Sequence, residues 1–316
     1  MEFFSDNSVS SPLFWVFSLL LISHGASGAK FTFVNKCDFT VWPGILSGAG
    51  SLKLDTTGFE LRRGGSRSFQ APAGWSGRFW GRTDCNFDGA GRGVCVTGDC
   101  GSGEIECNGA GAAPPATLAE FTLGSTDFYD VSLVDGYNLP MIVEGTGGTG
   151  ACGSTGCVTD LNRQCPTELK AENGGACRSA CEKFGTAEYC CSGAYGSPAT
   201  CKPSKYSEIF KSACPRSYSY AYDDATSTFT CSGADYTVTF CPSSPSLKSS
   251  TDSSPTTAAG EAASAGAAAA ALPENSWLTD LAVGESSRRQ PDLGFLVLVL
   301  ILGSSFFLSY LNLHFS

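Results

Sequence analysis

Sixteen cysteines, all lying between Cys37 and Cys241, constrain this 316-residue chain more than any other feature. An even, dense set of thiols belongs to an oxidising compartment. There it forms up to eight disulfides, half of the sixteen, and staples loops that a small core could not hold. Spacing alone leaves the pairing open. The competing use is zinc, which takes short C-x-x-C pairs backed by a second pair of Cys or His. The gaps here are irregular and contain no such pair. Between Gly145 and Cys214 few bulky apolar residues occur, so disulfides are expected to stand in for a core. The adjacent Cys190 and Cys191 are expected to bond to different partners. Cys177 to Phe184, CRSACEKF, reads as one short helix with Cys177 and Cys181 on one face.

Histidine is nearly absent. His24 and His314 lie near the two ends, in segments expected to be removed. The mature domain then has no Ser-His-Asp or Cys-His nucleophile and no histidine-ligated metal. Side-chain catalysis would rest on carboxylates, helped by Tyr, Lys or Arg. No metal and no cofactor are expected. The net charge of -10 argues against nucleic acid or an anionic membrane surface as partner.

Residues 1–28 read as a secretory signal. Leu13 to Ile22 is apolar but too short to span a bilayer, and the small residues Ala26, Ser27 and Gly28 precede a cleavage that leaves Ala29 first. The n-region departs from the pattern in holding Glu2 and Asp6 and no Lys or Arg. Short alternating segments follow: Lys30 to Cys37, Phe39 to Trp42 (broken by Pro43-Gly44), Ser66 to Ala71, Arg78 to Thr83, Thr117 to Leu123, Phe128 to Val134 and Met141 to Glu144. Asp127 to Val143 reads as two strands around the turn Asp135-Gly136. Tyr218 to Thr230 and Asp235 to Phe240 return to strand character. Glycine-rich turns every ten or so residues suit an all-β sandwich or barrel.

Gly91 to Cys107, GRGVCVTGDCGSGEIEC, places Cys95, Cys100 and Cys107 among glycines and reads as tight loops rather than strand or helix. The pattern G-x-G-x-C-x-T-G-D-C-x-x-G-x-x-x-C resembles the signature of thaumatin-like proteins, the plant pathogenesis-related family 5. PPATLAEFTL at Pro114 to Leu123 and CPRSYSYAYDDATSTFTC at Cys214 to Cys231 resemble further blocks of that family, and the resemblance spans 29–242. It implies an antiparallel β-sandwich flanked by two disulfide-rich lobes. It also implies the pairs Cys37–Cys241, Cys85–Cys95, Cys100–Cys107, Cys152–Cys231, Cys157–Cys214, Cys165–Cys177, Cys181–Cys190 and Cys191–Cys201. An acidic cleft is implied between the sandwich and the larger lobe, with ligand-binding positions at Arg78, Glu120, Asp130, Asp135 and Asp223; Asp224 competes for the last place. Carboxylates gathered near one arginine perturb one another's protonation. One can then donate a proton to a glycosidic oxygen while another stabilises positive charge or activates water, roles that fall to Glu120 and Asp135. The expected function is a defence-type, antifungal, cell-surface protein, monomeric, that binds β-1,3-glucan or a related cell-wall or fungal glycan. The alternatives are a weak endo-β-1,3-glucanase using the same carboxylates and a non-catalytic wall sensor.

From 243 to 291 the chain is rich in Ser, Thr, Ala and Pro, too poor in bulky apolar residues to bury a core, and reads as a disordered stalk. Residues 292–316 hold the apolar run Phe295 to Leu311. The small residues Ala282, Gly284 and Ser286 and a polar spacer precede it, in the order of a glycosylphosphatidylinositol signal. A transmembrane helix is the rival, but no Lys or Arg follows the run. The expected location is the outer face of the plasma membrane or the apoplast, with Gly284 or Ser286 as attachment site.

Overall fold

The described residues form eleven strands, numbered in chain order: β1 (Lys30–Asn35), β2 (Trp42–Ser47), β3 (Ser66–Gln70), β4 (Ser76–Phe87), β5 (Gly93–Thr97), β6 (Leu118–Thr122), β7 (Asp127–Ser132), β8 (Met141–Thr146), β9 (Thr155–Cys157), β10 (Phe229–Cys231) and β11 (Asp235–Phe240). This computed structural model describes residues 28–172 and 174–242. The signal segment, the stalk and the hydrophobic tail with Gly284 and Ser286 lie outside the described residues. One sheet runs β3-β1-β11-β8-β9; the other runs β10-β7-β6-β4-β2, with β5 added on β4. Pairing is antiparallel except for β1 and β11, which run parallel with Phe31 opposite Tyr236 and Phe33 opposite Val238.

Period-2 alternation sends one face of each sheet into a shared core. Phe31, Phe33, Phe79, Phe121, Val131, Val143, Tyr236 and Phe240 meet there, essentially without exposure. The rings of Phe79 and Phe121 meet Phe31 edge-on at 4.9 and 4.8 Å, the geometry that aromatic quadrupoles favour. The outer face of the second sheet carries Trp80 and Leu118, which pack on Cys100 and Cys107 of a small lobe. A larger lobe follows β9 and holds α1 (Ala180–Phe184), α2 (Ala187–Cys190), α3 (Lys205–Ala213) and α4 (Asp224–Ser227). Its cluster joins Leu161, Leu169, Tyr206 and Phe210 to the half-cystines Cys157, Cys165, Cys177 and Cys214, so sulfur supplies part of its buried volume. The bonded pairs are Cys37–Cys241, Cys85–Cys95, Cys100–Cys107, Cys152–Cys231, Cys157–Cys214, Cys165–Cys177, Cys181–Cys190 and Cys191–Cys201. The protein is therefore a β-sandwich with two disulfide-rich lobes.

Four local expectations are corrected. Pro43-Gly44 does not break the second strand but lies inside β2. That strand is at the sheet's edge, where a missing N–H is tolerated, and Gly44 is required because a Cβ there would run into the Trp80 ring. The glycine-rich stretch contains β5, pinned to β4 by Cys85 and Cys95 directly opposite each other. Cys177 is extended and bridges to Tyr137 and Lys170. The helix starts only after Ser179, whose side chain accepts from the Glu182 N–H. Between Tyr218 and Thr230 only the last residues are strand; α4 interrupts them.

Candidate functional site

Antiparallel register places Arg78 of β4 opposite Glu120 of β6, and Glu120 opposite Asp130 of β7. Their neighbours Phe79, Ala119 and Val131 point into the core. The charged three therefore form one row on the outer face, with Cβ atoms about 5 Å apart. Glu120 is 5% and Asp130 3% exposed. Glu120 Oε1 and Asp130 Oδ1 have no hydrogen-bond partner among the described protein atoms.

Asp135 sits in the turn after β7, closed by a bond from the Gly136 N–H to the Leu133 carbonyl. Gly136 has φ of 88°, and a Cβ there would press into Pro115 and the Cys177 carbonyl, so the turn that aims Asp135 needs glycine. The Asp135 backbone carbonyl accepts from the Ala116 N–H, tying the turn to the segment before β6.

Burial dominates the protonation of these groups. It raises Glu120, Asp130 and Asp135 above the usual carboxyl range, Asp135 to about 6. Arg78 pulls Glu120 and Asp135 back, whereas Asp135 pushes Glu120 further up. Asp130 is raised further by Glu120 and Asp224. Near neutrality the row thus holds carboxyl groups that retain protons, able to donate as well as accept.

The last expected position, Asp223, is engaged within the lobe. Its Oδ2 accepts from the Ser219 N–H and Oγ and lies 2.9 Å from Lys211 Nζ. Asp224 accepts from the Tyr218 hydroxyl at 2.9 Å, and it is Asp224 whose charge reaches Asp130. Tyr218 lies beside β7, bridged to Ser132. One carboxylate escaped the sequence reading. Glu182 of α1 pairs with Arg178 at 3.2 Å, its side chain 23% exposed, and shares a pocket wall with Asp135. Burial raises it to about 7, opposed by Arg178 and assisted by Asp135. The Arg-x-x-x-Glu spacing was the available signal. No cluster among the described residues has the composition to hold a metal ion, and no helix among them is long and apolar enough to cross a membrane.

A family model described as Thaumatin family matches residues 35–242. Thaumatin-like protein 1 of Arabidopsis thaliana is similar at 71% identity over 231 residues, 70% of this chain and 89% of that protein. Pathogenesis-related thaumatin-like protein 3.5 of Cryptomeria japonica is similar at 62% over 222 residues, 69% of this chain and 92% of that protein. Pathogenesis-related protein 5 of Arabidopsis thaliana is similar at 58% over 232 residues, 71% of this chain and 95% of that protein.

Proposed function

The chain belongs to the thaumatin family, and on that premise we propose that it is a defence-type protein that binds β-1,3-glucan or a related wall glycan through its carboxylate row. The relatives named for pathogenesis point the same way. One observation carries the reading: two carboxyl groups, Glu120 and Asp130, are buried side by side with acceptor oxygens that no protein donor satisfies. Buried polar atoms are normally hydrogen-bonded, and exceptions concentrate at functional sites. Sugar hydroxyls are donors of the required kind.

The test is a pull-down on insoluble β-1,3-glucan, run beside an assay for reducing ends released from the linear polymer. Glu120→Gln keeps shape but replaces the acidic O–H donor with an amide, so retention on the polymer should fall severalfold. Unchanged retention, with an intact fold, overturns the reading. A second reading, weak endo-β-1,3-glucanase activity, draws on the raised Glu120, since a protonated carboxyl suits a general acid. It requires reducing ends from the parent and a loss of about a hundredfold in Glu120→Gln.

The eight disulfides suit secretion. We place the protein at the outer face of the plasma membrane through a glycosylphosphatidylinositol anchor near Gly284 or Ser286, on the sequence order of small residues, spacer and apolar run. Phosphatidylinositol-specific phospholipase C should release it to the aqueous phase; retention after verified digestion of a control favours a transmembrane helix.

A further inference from the structure

Beside the carboxylate row lies a pocket walled by the turn after β7 and by the larger lobe. Its lining includes Asp135, Glu182 of α1, Tyr189 of α2, Tyr206 and Phe210 of α3, and Tyr220 before α4. Tyr189, Tyr206, Phe210 and Tyr220 are its aromatic walls. Tyr189 and Tyr206 meet edge to face at 5.8 Å. The Lys205 ammonium lies 4.7 Å from the centre of the Tyr206 ring, an attraction between a cation and a π-face. Carboxylates supply the polar part, with Asp135 on one side and Glu182 on the other.

The charges that reach these carboxylates are few. Arg178, Asp135 and Lys183 act on Glu182, and Arg78 acts on Asp135. Both carboxyls nevertheless stay raised, with burial the leading cause. The cations at hand therefore do not offset the desolvation. A neutral sugar brings hydroxyl donors but no charge, whereas a cationic ligand brings both. Flat aromatic walls suit the face of a sugar ring better than a flexible aliphatic chain.

We propose that this pocket takes a protonated amino-sugar unit of a deacetylated wall glycan, its ring against Tyr189, Tyr206 and Tyr220 and its ammonium group between Asp135 and Glu182. The proposal rests on the reading of the cleft as a glycan site and names the sugar class that its charge prefers. Binding has a proton signature. Free Asp135 and Glu182 are partly protonated near pH 6, and an adjacent cation favours their ionised forms, so binding expels protons. A neutral glycan has no charge with which to drive that release.

The experiment is calorimetry near pH 6 in two buffers of different ionisation enthalpy, on protein expressed from the full-length sequence. The probes are a glucosamine tetramer, its fully N-acetylated counterpart and a β-1,3-glucan tetramer. The glucosamine tetramer should bind about tenfold or more tightly than the acetylated one and release protons, because a charge-assisted bond is roughly twice as strong as a neutral one. Glu182→Gln should weaken it about tenfold, while the surface control Glu188→Gln leaves it unchanged. Equal binding of the acetylated tetramer overturns the proposal, and so does an equal loss in Glu188→Gln, which would mean bulk charge attraction. Full competition by a lysine tetrapeptide overturns it in favour of a basic-peptide site. Binding of the β-1,3-glucan tetramer without the glucosamine tetramer defeats this inference alone. The reverse pattern defeats β-1,3-glucan as ligand and leaves the amino-sugar pocket standing. Binding of neither defeats both.

Discussion

Arg78 shows how one residue sets the tone of the site. It stands opposite Glu120 and is the cation that holds down both Glu120 and Asp135 against burial. Arg78→Ala should therefore move the Asp135 carboxyl titration, followed by carbon NMR, upward from about 6. A titration that stays in place would show that Arg78 does not act on it. The row and Asp135 beside it were legible before any coordinates, because Arg78, Glu120, Asp130 and Asp135 sit in short motifs that the family resemblance carries over. Glu182 was not, since a lone Arg178–Glu182 pair at helical spacing is the commonest kind of surface ion pair. Asp223 and Asp224 could not be told apart in sequence. Only the fold reveals that Lys211 and Ser219 occupy the first, while Tyr218 directs the second toward Asp130.

At the scale of elements, alternation found most strands, and it failed where packing overrode local signals. Pro43-Gly44 reads as a break, yet the ring of Trp80 needs a bare backbone there and an edge strand tolerates the proline. Gly44→Ala should destabilise the domain by about 1–3 kcal/mol, the usual range for overpacking, read as a lower midpoint in guanidinium. An unchanged midpoint would show that Trp80 moves aside freely. β5 was hidden because glycine-rich sequence looks like loop, whereas the Cys85–Cys95 bond fixes it on β4. In the larger lobe, the spacing of Cys177 from Cys181 reads as helix, but the Cys177 backbone is committed to Tyr137. Side-chain pattern cannot see such a tertiary claim.

The whole domain is governed by its cross-links and its buried acids. No free thiol exists among the described residues, so titration under denaturing conditions without reductant should find none. Replacing both Cys37 and Cys241 by Ser removes the bond with the largest sequence separation, 204, and should cost about 2–5 kcal/mol, measured by denaturant unfolding. Asp135 and Glu182 are raised from 3.8 to about 6 and from 4.5 to about 7. A carboxyl raised in the folded state contributes stability that is full below its unfolded value and is lost as pH climbs through its folded value. Glu120 is raised further, to about 8, so the melting temperature should fall between about pH 4 and pH 8. Asp135→Asn should flatten the early part of that decline and Glu182→Gln the middle; a melting temperature rising over the same interval would contradict the raised carboxyls. The parallel pairing of β1 with β11 bears on the order in which the molecule can be made. β11 occupies the middle of its sheet, between the first strand and β8, yet comes after every other described strand along the chain. A chain emerging from its N-terminus thus offers Phe31, Phe33 and Cys37 long before Tyr236, Val238 and Cys241 exist to cover them. Until β11 arrives, the half-made sandwich has a gap at its centre and an open thiol beside it, so assembly of this sheet waits on nearly the whole domain being made and needs protection during the interval.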